Sequence, residues 1–305
     1  MLPKLPMSAS LPWRHFLLAL AVAAVWGTNF AIIKVVLGTL PPLLFVALRF
    51  ALAFFPALFF VKPPAVHWHN LALYGLLIGV GQFGLMYFAI NGHISPGLAS
   101  LVIQTQVFFT IGLSVWLAHE RLRAYQWGGL LLATGGIAVI VLHTDGTTTV
   151  FGLALVLLGA LSLAVGNMTA MRAAPSSILA YVVWSSAFAV PPLLALSLVF
   201  EGWHAVSAGL RQASAATWGA VLWQAWGNTL FGYAAWGWLL ARHPAATISP
   251  MALLVPVFGM ATAALWLAEP LPGWKLAAAG LVMAGLALNL LWPRLRAVRR
   301  QGGGL

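Results

Sequence analysis

The chain has 305 residues, of which 62% are hydrophobic and only 6% are charged, and its mean hydropathy is +0.96. Soluble domains carry about 25% charged residues, so this composition excludes a water-soluble fold. The net charge of +11 comes from single Lys and Arg residues scattered between apolar stretches, a pattern that excludes nucleic acid as a partner. Cysteine is absent, which excludes disulfides and thiolate chemistry.

Apolar stretches bounded by Pro, Gly and charged residues predict an all-α membrane protein with ten spanning helices. In chain order these cover residues 13–37, 42–61, 71–92, 96–118, 124–142, 151–171, 177–200, 216–240, 246–267 and 272–292. The apolar pattern continues from Phe16 to Leu37 with no polar segment behind it, which indicates an uncleaved first helix rather than a signal peptide. The longest connections, 62–70 and 201–215, are too short for a soluble domain.

The positive-inside rule orients these helices, because Lys and Arg in short loops concentrate on the cytoplasmic side. With the N-terminus inside, only Lys34, Arg211 and Lys275 fall outside, and Arg49 lies within a helix. The residues on the cytoplasmic side are Lys4, Arg14, Lys62, Arg121, Arg123, Arg172, Arg242, Arg294, Arg296, Arg299 and Arg300. We therefore expect a multi-pass inner-membrane protein with both termini in the cytoplasm.

Two repeated halves are indicated by spacing, since the segment Gly97–Leu122 aligns without gaps on Ala246–Leu271. The equivalent positions are Ser100 and Ser249, Phe109 and Phe258, Glu120 and Glu269, Asn29 and Asn167, Arg49 and Trp184, Pro56 and Pro191, and Tyr87 and Trp236. The halves are predicted as residues 13–142 and 151–292, followed by a basic cytoplasmic tail at 293–305. Five helices in each half make the repeat inverted in the membrane, which places a substrate site near the midplane.

Several segments together resemble a known family. They are WGTN at Trp26–Asn29 with Lys34, PLLFVALRF at Pro42–Phe50, Gly97–Thr110, Gly232 with Tyr233, and Leu253–Leu271. In these segments the chain resembles EamA-type exporters of the drug/metabolite transporter superfamily. The likeness is greatest to exporters of O-acetylserine and cysteine and to exporters of aromatic amino acids. The resemblance implies a basket of ten helices around a central cavity and efflux of amino acids through the inner membrane. We expect no cofactor. Ala164 departs from the pattern, because relatives can carry Trp there.

Candidate substrate contacts are polar or aromatic side chains within the predicted helices, since an amide or a charge facing lipid is costly. The polar side chains within predicted helices that could meet a substrate are the guanidinium of Arg49 and the amides of Asn29, Gln82, Gln104, Gln106, Asn167, Gln224 and Asn228. The predicted site comprises Asn29, Arg49, Gln82, Gln104, Gln106 and Asn167 together with the aromatic Tyr87, Trp184, Trp226 and Tyr233. Arg49 lies about 10 Å along its helix, shallow enough to snorkel. It could bind a substrate carboxylate, act in gating, or hold a neighbouring helix.

Helical spacing refines these candidates. Gln104 and Gln106 point about 200° apart, and Gln104 is favoured for the cavity. Trp226 and Tyr233 lie seven residues apart, which predicts one aromatic stripe that either contacts the substrate or packs in the protein core. Gln82 continues a stripe with Gly75, which is suited either to close helix contact or to a cavity wall.

The acidic residues favour a facilitator over a proton antiporter, because none of them lies deep within a predicted helix. Glu120 and Glu269 are interpreted as structural charges that pair with Arg121, Arg123 or Lys275. A membrane-embedded enzyme is the rival class, but the Walker A, HExxH and GxSxG motifs are all missing. A sugar-phosphate carrier would need more cations within the cavity. We expect a monomer that binds amino acids or similar metabolites.

Overall fold

The computed structural model describes residues 11–118, 122–144 and 147–302, and this part of the chain is helical without a strand. In chain order the helices are α1 (Trp13–Val36), α2 (Pro42–Ala57), α3 (Trp68–Ile90), α4 (96–118), α5 (Ala124–Leu142), α6 (Val150–Ala173), α7 (Ile178–Phe200), α8 (Gly202–Gln212), α9 (215–242), α10 (245–267) and α11 (Gly273–Gly302). Eight of these described helices are long and apolar enough to cross a membrane, and α2 is apolar but shorter. A multi-pass membrane protein follows from this architecture.

Two predicted helix ends are wrong. Helix α2 ends at Ala57 rather than near residue 61, because Pro56 lies in its last turn and Pro63 and Pro64 follow. Helix α11 continues through Gly302 instead of ending at residue 292, so the predicted basic tail is largely helical. Leu, Ala and Arg are all good helix formers, and the tail contains little else up to Arg300.

Helix α8 lies within the predicted connection 201–215, which is therefore largely helical. Its buried positions are Val206 and Gly209, while Trp203 and Arg211 are exposed. Gly209 packs directly on the α1–α2 connection, where an added Cβ would lie 2.9 Å from Cδ of Pro41. Helix α8 is therefore a short surface helix that covers this connection.

Long helix pairs form the framework of the bundle. Helix α1 packs along α10. The C-terminal part of α4, Gln106–Ala118, packs along α6. Helix α2 packs along α7, and α5 packs along α11. Each pair joins one helix from before residue 145 to one from after it, so the two parts of the chain interlock rather than forming separate bundles.

Glutamates cap two helix starts. The carboxylate of Glu201 accepts hydrogen bonds from the backbone N–H groups of Leu43 at 2.6 Å and Leu44 at 3.2 Å, at the start of α2. Glu269 accepts one from the N–H of Gly97 at 3.0 Å, at the start of α4. A carboxylate is favourable there because a helix start carries free N–H groups and a partial positive charge.

The predicted pairing of Glu269 with Lys275 is confirmed, with Nζ 2.9 Å from Oε1. Both side chains are largely buried. The pair joins the end of α10 to the start of α11, while Glu269 also contacts α4. The expected roles of Glu120 and Arg121 concern residues outside the described part of the chain.

Candidate functional site

Arg49 lies in the middle of α2 and is fully buried. Its guanidinium donates to the hydroxyl of Tyr87 on α3 at 2.9 Å. It also donates to Oδ1 of Asn228 at 2.7 Å and to Oγ1 of Thr229 at 3.1 Å, both on α9. Arg49 therefore turns into the protein instead of snorkelling, and it joins three helices.

Aromatic rings flank this guanidinium. Its carbon lies 3.9 Å from the ring centroid of Phe83 and 5.6 Å from that of Phe50. The face of an aromatic ring attracts a cation, more strongly when water is excluded. The rings therefore help to compensate the cost of burying this charge, although they supply no negative charge.

The partners of Arg49 are all neutral. In the described part of the chain, the carboxylates of Glu201 and Glu269 bind helix starts and Lys275 instead. Guanidinium has five N–H donors, and three are used here. The cluster around Arg49 thus keeps a net positive charge and spare donors.

Gln224 adds a further donor to the cluster. Its Oε1 accepts a hydrogen bond from the hydroxyl of Tyr87 at 3.2 Å, and its side chain is fully buried. The amide nitrogen Nε2 has no partner within the structure. A buried unpaired donor is costly unless a ligand or water satisfies it. An anion of carboxylate type matches this arrangement, because it accepts several charge-assisted hydrogen bonds at once.

Two π-helical segments position the cluster. They are Leu76–Gly84 within α3 and Trp223–Phe231 within α9. The wider turn brings Gln224, Asn228 and Thr229 to the same side, and the hydroxyl of Thr229 donates to the carbonyl of Gln224, five residues earlier. Such segments are uncommon and are frequently found at functional sites.

Helix α1 encloses the cluster through Trp26. Its indole N–H donates to the carbonyl of Asn228 at 3.1 Å, while the amide of Asn228 donates to the carbonyl of Val25 at 3.4 Å. The Trp26 ring also packs on Tyr233, with centroids 5.7 Å apart. The WGTN segment thus fixes Asn228, which in turn binds Arg49.

A small cavity lies beside the cluster, between α2, α3, α7 and α9. It has room for about one water molecule. Its lining consists of Phe50, Tyr74, Gly75, Ile78, Val182, Ser185, Ser186 and Tyr233. Phe50 connects it to the cluster, because the same ring packs beside the guanidinium of Arg49.

The predicted aromatic stripe on α9 is wrong. Trp226 is 47% exposed on the outer surface, and its indole donates to the carbonyl of Leu52. Tyr233 instead lines the cavity. The π-helical segment has more residues per turn than an α-helix, so positions seven apart no longer share a face.

Gln104 and Gln106 contact different helices, as their spacing predicted. Nε2 of Gln104 donates to the carbonyl of Ala252 on α10 at 3.3 Å. Oε1 of Gln106 accepts from the amide of Asn167 on α6 at 3.2 Å. Neither glutamine hydrogen-bonds to Arg49. Gln104, Gln106 and Asn167 therefore join helices to one another and are not part of the Arg49 cluster.

The remaining predicted residues are packed between helices. Trp184 donates to the carbonyl of Val61 at 3.0 Å, near the end of α2. Asn29 and Gln82 are buried, and the side-chain oxygen of each has no partner. The glycines of the Gln82 stripe pack on α7, where an added Cβ on Gly75 would lie 2.2 Å from the carbonyl oxygen of Ser185. Gly75 fits both interpretations of that stripe, because it contacts α7 closely and also lines the cavity.

Of the ten predicted site residues, the structure brings Arg49, Tyr87 and Tyr233 to the cluster and its cavity. Sequence reasoning did not select Tyr74, Ser185, Gln224, Asn228 or Thr229 as site residues. The amides of Gln224 and Asn228 were visible within a predicted helix. The hydroxyls gave no such signal, because Ser and Thr are common within membrane helices.

Comparisons with known proteins agree with this architecture. The EamA-like transporter family matches residues 13–142 and again residues 150–291. A "Probable amino-acid metabolite efflux pump" of Salmonella typhimurium is 41% identical over 292 residues, covering 94% of this chain and 98% of that protein. One with the same name from Escherichia coli is 38% identical, covering 93% and 97%.

More distant proteins share the fold. An "Uncharacterized transporter" of Archaeoglobus fulgidus is 26% identical and covers 90% of this chain and 97% of its own length. A solved structure described only as "Crystal structure of protein" has a TM-score of 0.63 at 19% identity, covering 92% of this chain and 98% of that one. Since the family pattern occurs twice and spans nearly the whole sequence, the chain belongs to the EamA-like transporter family.

Proposed function

We propose that this membrane transporter exports amino acids and related small metabolites, and that Arg49 binds the carboxylate of the substrate. The buried guanidinium with neutral partners carries the proposal, because a bound anion would supply the negative charge that these partners lack. The names of the two relatives from Salmonella typhimurium and Escherichia coli support amino-acid metabolites as the substrate class.

The same proposal includes ten spanning helices, α1 to α7 and α9 to α11, arranged as two inverted repeats of five. The double family match supports two repeats. In such a repeat α1 corresponds to α6, α2 to α7, α4 to α10 and α5 to α11. The packing fits this correspondence, because the α1–α10 pair is then equivalent to the α6–α4 pair, while α2–α7 and α5–α11 each join two equivalent helices. Both π-helical segments lie in the third helix of a half. Arg49 has no counterpart, since Trp184 takes its place, so the anion site is asymmetric.

Equivalent contacts hold the two ends of the bundle. The start of α1 contacts the α9–α10 connection, where Nδ1 of His15 lies 2.7 Å from Nε2 of His243. The start of α6 contacts the α3–α4 connection, where the N–H of Thr149 donates to the carbonyl of His93 at 2.8 Å. In the proposed topology these contacts lie on opposite sides of the membrane. They are therefore suited to open in turn, as alternating access requires.

Reporter fusions test this topology. Fusions at residues 145 and 205 should report the periplasm, and fusions at residues 66 and 300 the cytoplasm, because the Lys and Arg residues are strongly asymmetric. The readout is alkaline phosphatase activity against green fluorescence for each site. A cytoplasmic result at residue 145 would exclude ten helices with both termini inside.

We also propose a gradient-driven facilitator rather than a proton antiporter. The two described carboxylates, Glu201 and Glu269, are engaged at helix starts, and neither contacts the Arg49 cluster. Counterflow of labelled amino acid in proteoliposomes should therefore proceed without a pH gradient and change little when an imposed gradient is collapsed. Strict dependence on the gradient would favour the antiporter, and no amino-acid flux at all would refute the export proposal.

A further inference from the structure

Two histidines, called the histidine pair below, join the start of α1 to the α9–α10 connection. Nδ1 of His15 lies 2.7 Å from Nε2 of His243, and both side chains are half-buried. Two imidazole nitrogens at this distance share one hydrogen, since one must donate and the other must accept. The contact therefore requires that at least one of the two rings is neutral.

A small apolar cluster lies at the same end of the bundle. Its buried members are Ala19 on α1, Leu239 on α9 and Ile248 on α10, and it is separate from the main core. Because apolar burial stabilises roughly in proportion to the area buried, so small a cluster holds these helices less firmly than the main core holds the others. One hydrogen bond therefore has more influence here than it would have in the main core.

The charged neighbours of the histidine pair, among the described residues, are cations. Arg14 precedes His15 and is exposed, while Arg242 precedes His243 and stacks over the ring of Trp238 at 4.0 Å. The Trp238 ring in turn contacts His15 edge-on, with centroids 4.9 Å apart. The described residues of α1, α9 and α10 include no Asp or Glu. No carboxylate from these helices can therefore compensate a second positive charge on the pair.

The equivalent contact at the other end of the bundle does not titrate. There the backbone N–H of Thr149 donates to the backbone carbonyl of His93 at 2.8 Å, and the Thr149 hydroxyl donates to the same carbonyl at 3.0 Å. The ring of His93 packs against Phe88 and Phe151 and takes no part in this contact. Peptide and hydroxyl groups keep their charge at physiological pH, whereas histidine as a class changes charge between about pH 5 and 8. The two ends thus differ in their ability to bind protons.

We propose that the histidine pair makes the opening of its end of the bundle sensitive to pH. When both rings are protonated, repulsion between two cations replaces the hydrogen bond, so acid loosens this end and leaves the other end unchanged. The assignment of a side rests on the proposed function: in that topology the pair faces the cytoplasm, and acid there favours the state open to the cytoplasm. The pair takes up protons from one side and carries none across the membrane, which agrees with a facilitator.

Distances between spin labels test this inference in the full chain. Trp13→Cys with Ala241→Cys places labels on exposed positions near the histidine pair, and Asn91→Cys with Val150→Cys places them on exposed positions at the other end. The labelled protein is reconstituted in liposomes with the same pH on both sides. Acidification from about pH 7.5 to about pH 5.5 should raise the ratio of long to short distances for the first pair of labels by about two- to tenfold, the range expected for one lost hydrogen bond. The second pair of labels should not respond.

His243→Gln separates titration from packing. An amide can donate to His15 or accept from it without changing charge, so this variant should stay closed at both pH values. His15→Gln removes the other ring and should behave in the same way. His93→Gln is the matched control, because it replaces a histidine but keeps the backbone carbonyl that holds the other end, and the first pair of labels should still respond.

The outcomes separate this inference from the proposed function. A full pH response that persists in both His243→Gln and His15→Gln overturns the role of the histidine pair. The absence of a response in the protein with both histidines, or an equal response at the two ends, also overturns it. A protein that shows the pH response but exports no amino acid would refute the proposed function and leave the pH-sensitive contact in place.

Discussion

Arg49→Gln should lower the export of amino acids at low substrate concentration by roughly ten- to a hundredfold. The reason is the loss of hydrogen bonds to a charged group, which contribute about 1.5 to 3 kcal/mol each. The measurement is the initial rate against substrate concentration in proteoliposomes. Because the lost interaction is one with bound substrate, a large part of the effect should be a weaker apparent affinity.

The same residue also joins α2, α3 and α9, so its structural role must be separated from substrate binding. An amine that lacks the carboxylate of the amino acid provides the separation. The unmodified protein should prefer the amino acid over this amine, and Arg49→Gln should lose the preference. Arg49→Lys keeps the charge but not the planar fork, so we expect an intermediate result.

Arg211→Gln is the matched control for this substitution. Arg211 is exposed on α8, away from the cluster, so the same chemical change should leave transport unaltered. If Arg49→Gln folds and retains both its rate and its preference for the amino acid, the carboxylate site lies elsewhere.

Cross-linking either end of the bundle should stop nearly all transport. The chain has no cysteine, so pairs can be introduced into the unmodified sequence. His15→Cys with His243→Cys places thiols at one end, and His93→Cys with Thr149→Cys places them at the other. A short bifunctional thiol reagent with a reducible bond should block flux in each pair, because alternating access requires both ends to part in turn.

Single-cysteine variants treated with the same reagent serve as controls and should retain transport. Adding a reducing agent should restore flux in both double variants. Undiminished flux through a protein that is fully cross-linked at either end would show that this contact does not open during transport. The mass shift of the cross-linked protein gives the fraction that has reacted.

Much of the fold is determined by the sequence alone. Apolar stretches near 20 residues long bounded by Pro, Gly and charge specify spanning helices, because the bilayer interior allows few other structures. Most helix ends were therefore predicted to within a few residues. The Glu269–Lys275 pair was also visible, since both residues flank the same short connection. Arg49 was conspicuous because it is the one cation well inside a predicted helix.

The partners of Arg49 and the depth of its burial were decided by tertiary structure. A regular helix predicts one face for Trp226 and Tyr233, but the π-helical segment Trp223–Phe231 turns Trp226 outward and brings Gln224, Asn228 and Thr229 together. This departure from 3.6 residues per turn depends on packing against other helices, so no local pattern in the chain reveals it. Likewise, Ser185 and Ser186 are identical neighbours in sequence. Both line the cavity in the folded protein, but the hydroxyl of Ser186 bonds within its own helix, whereas that of Ser185 has no partner.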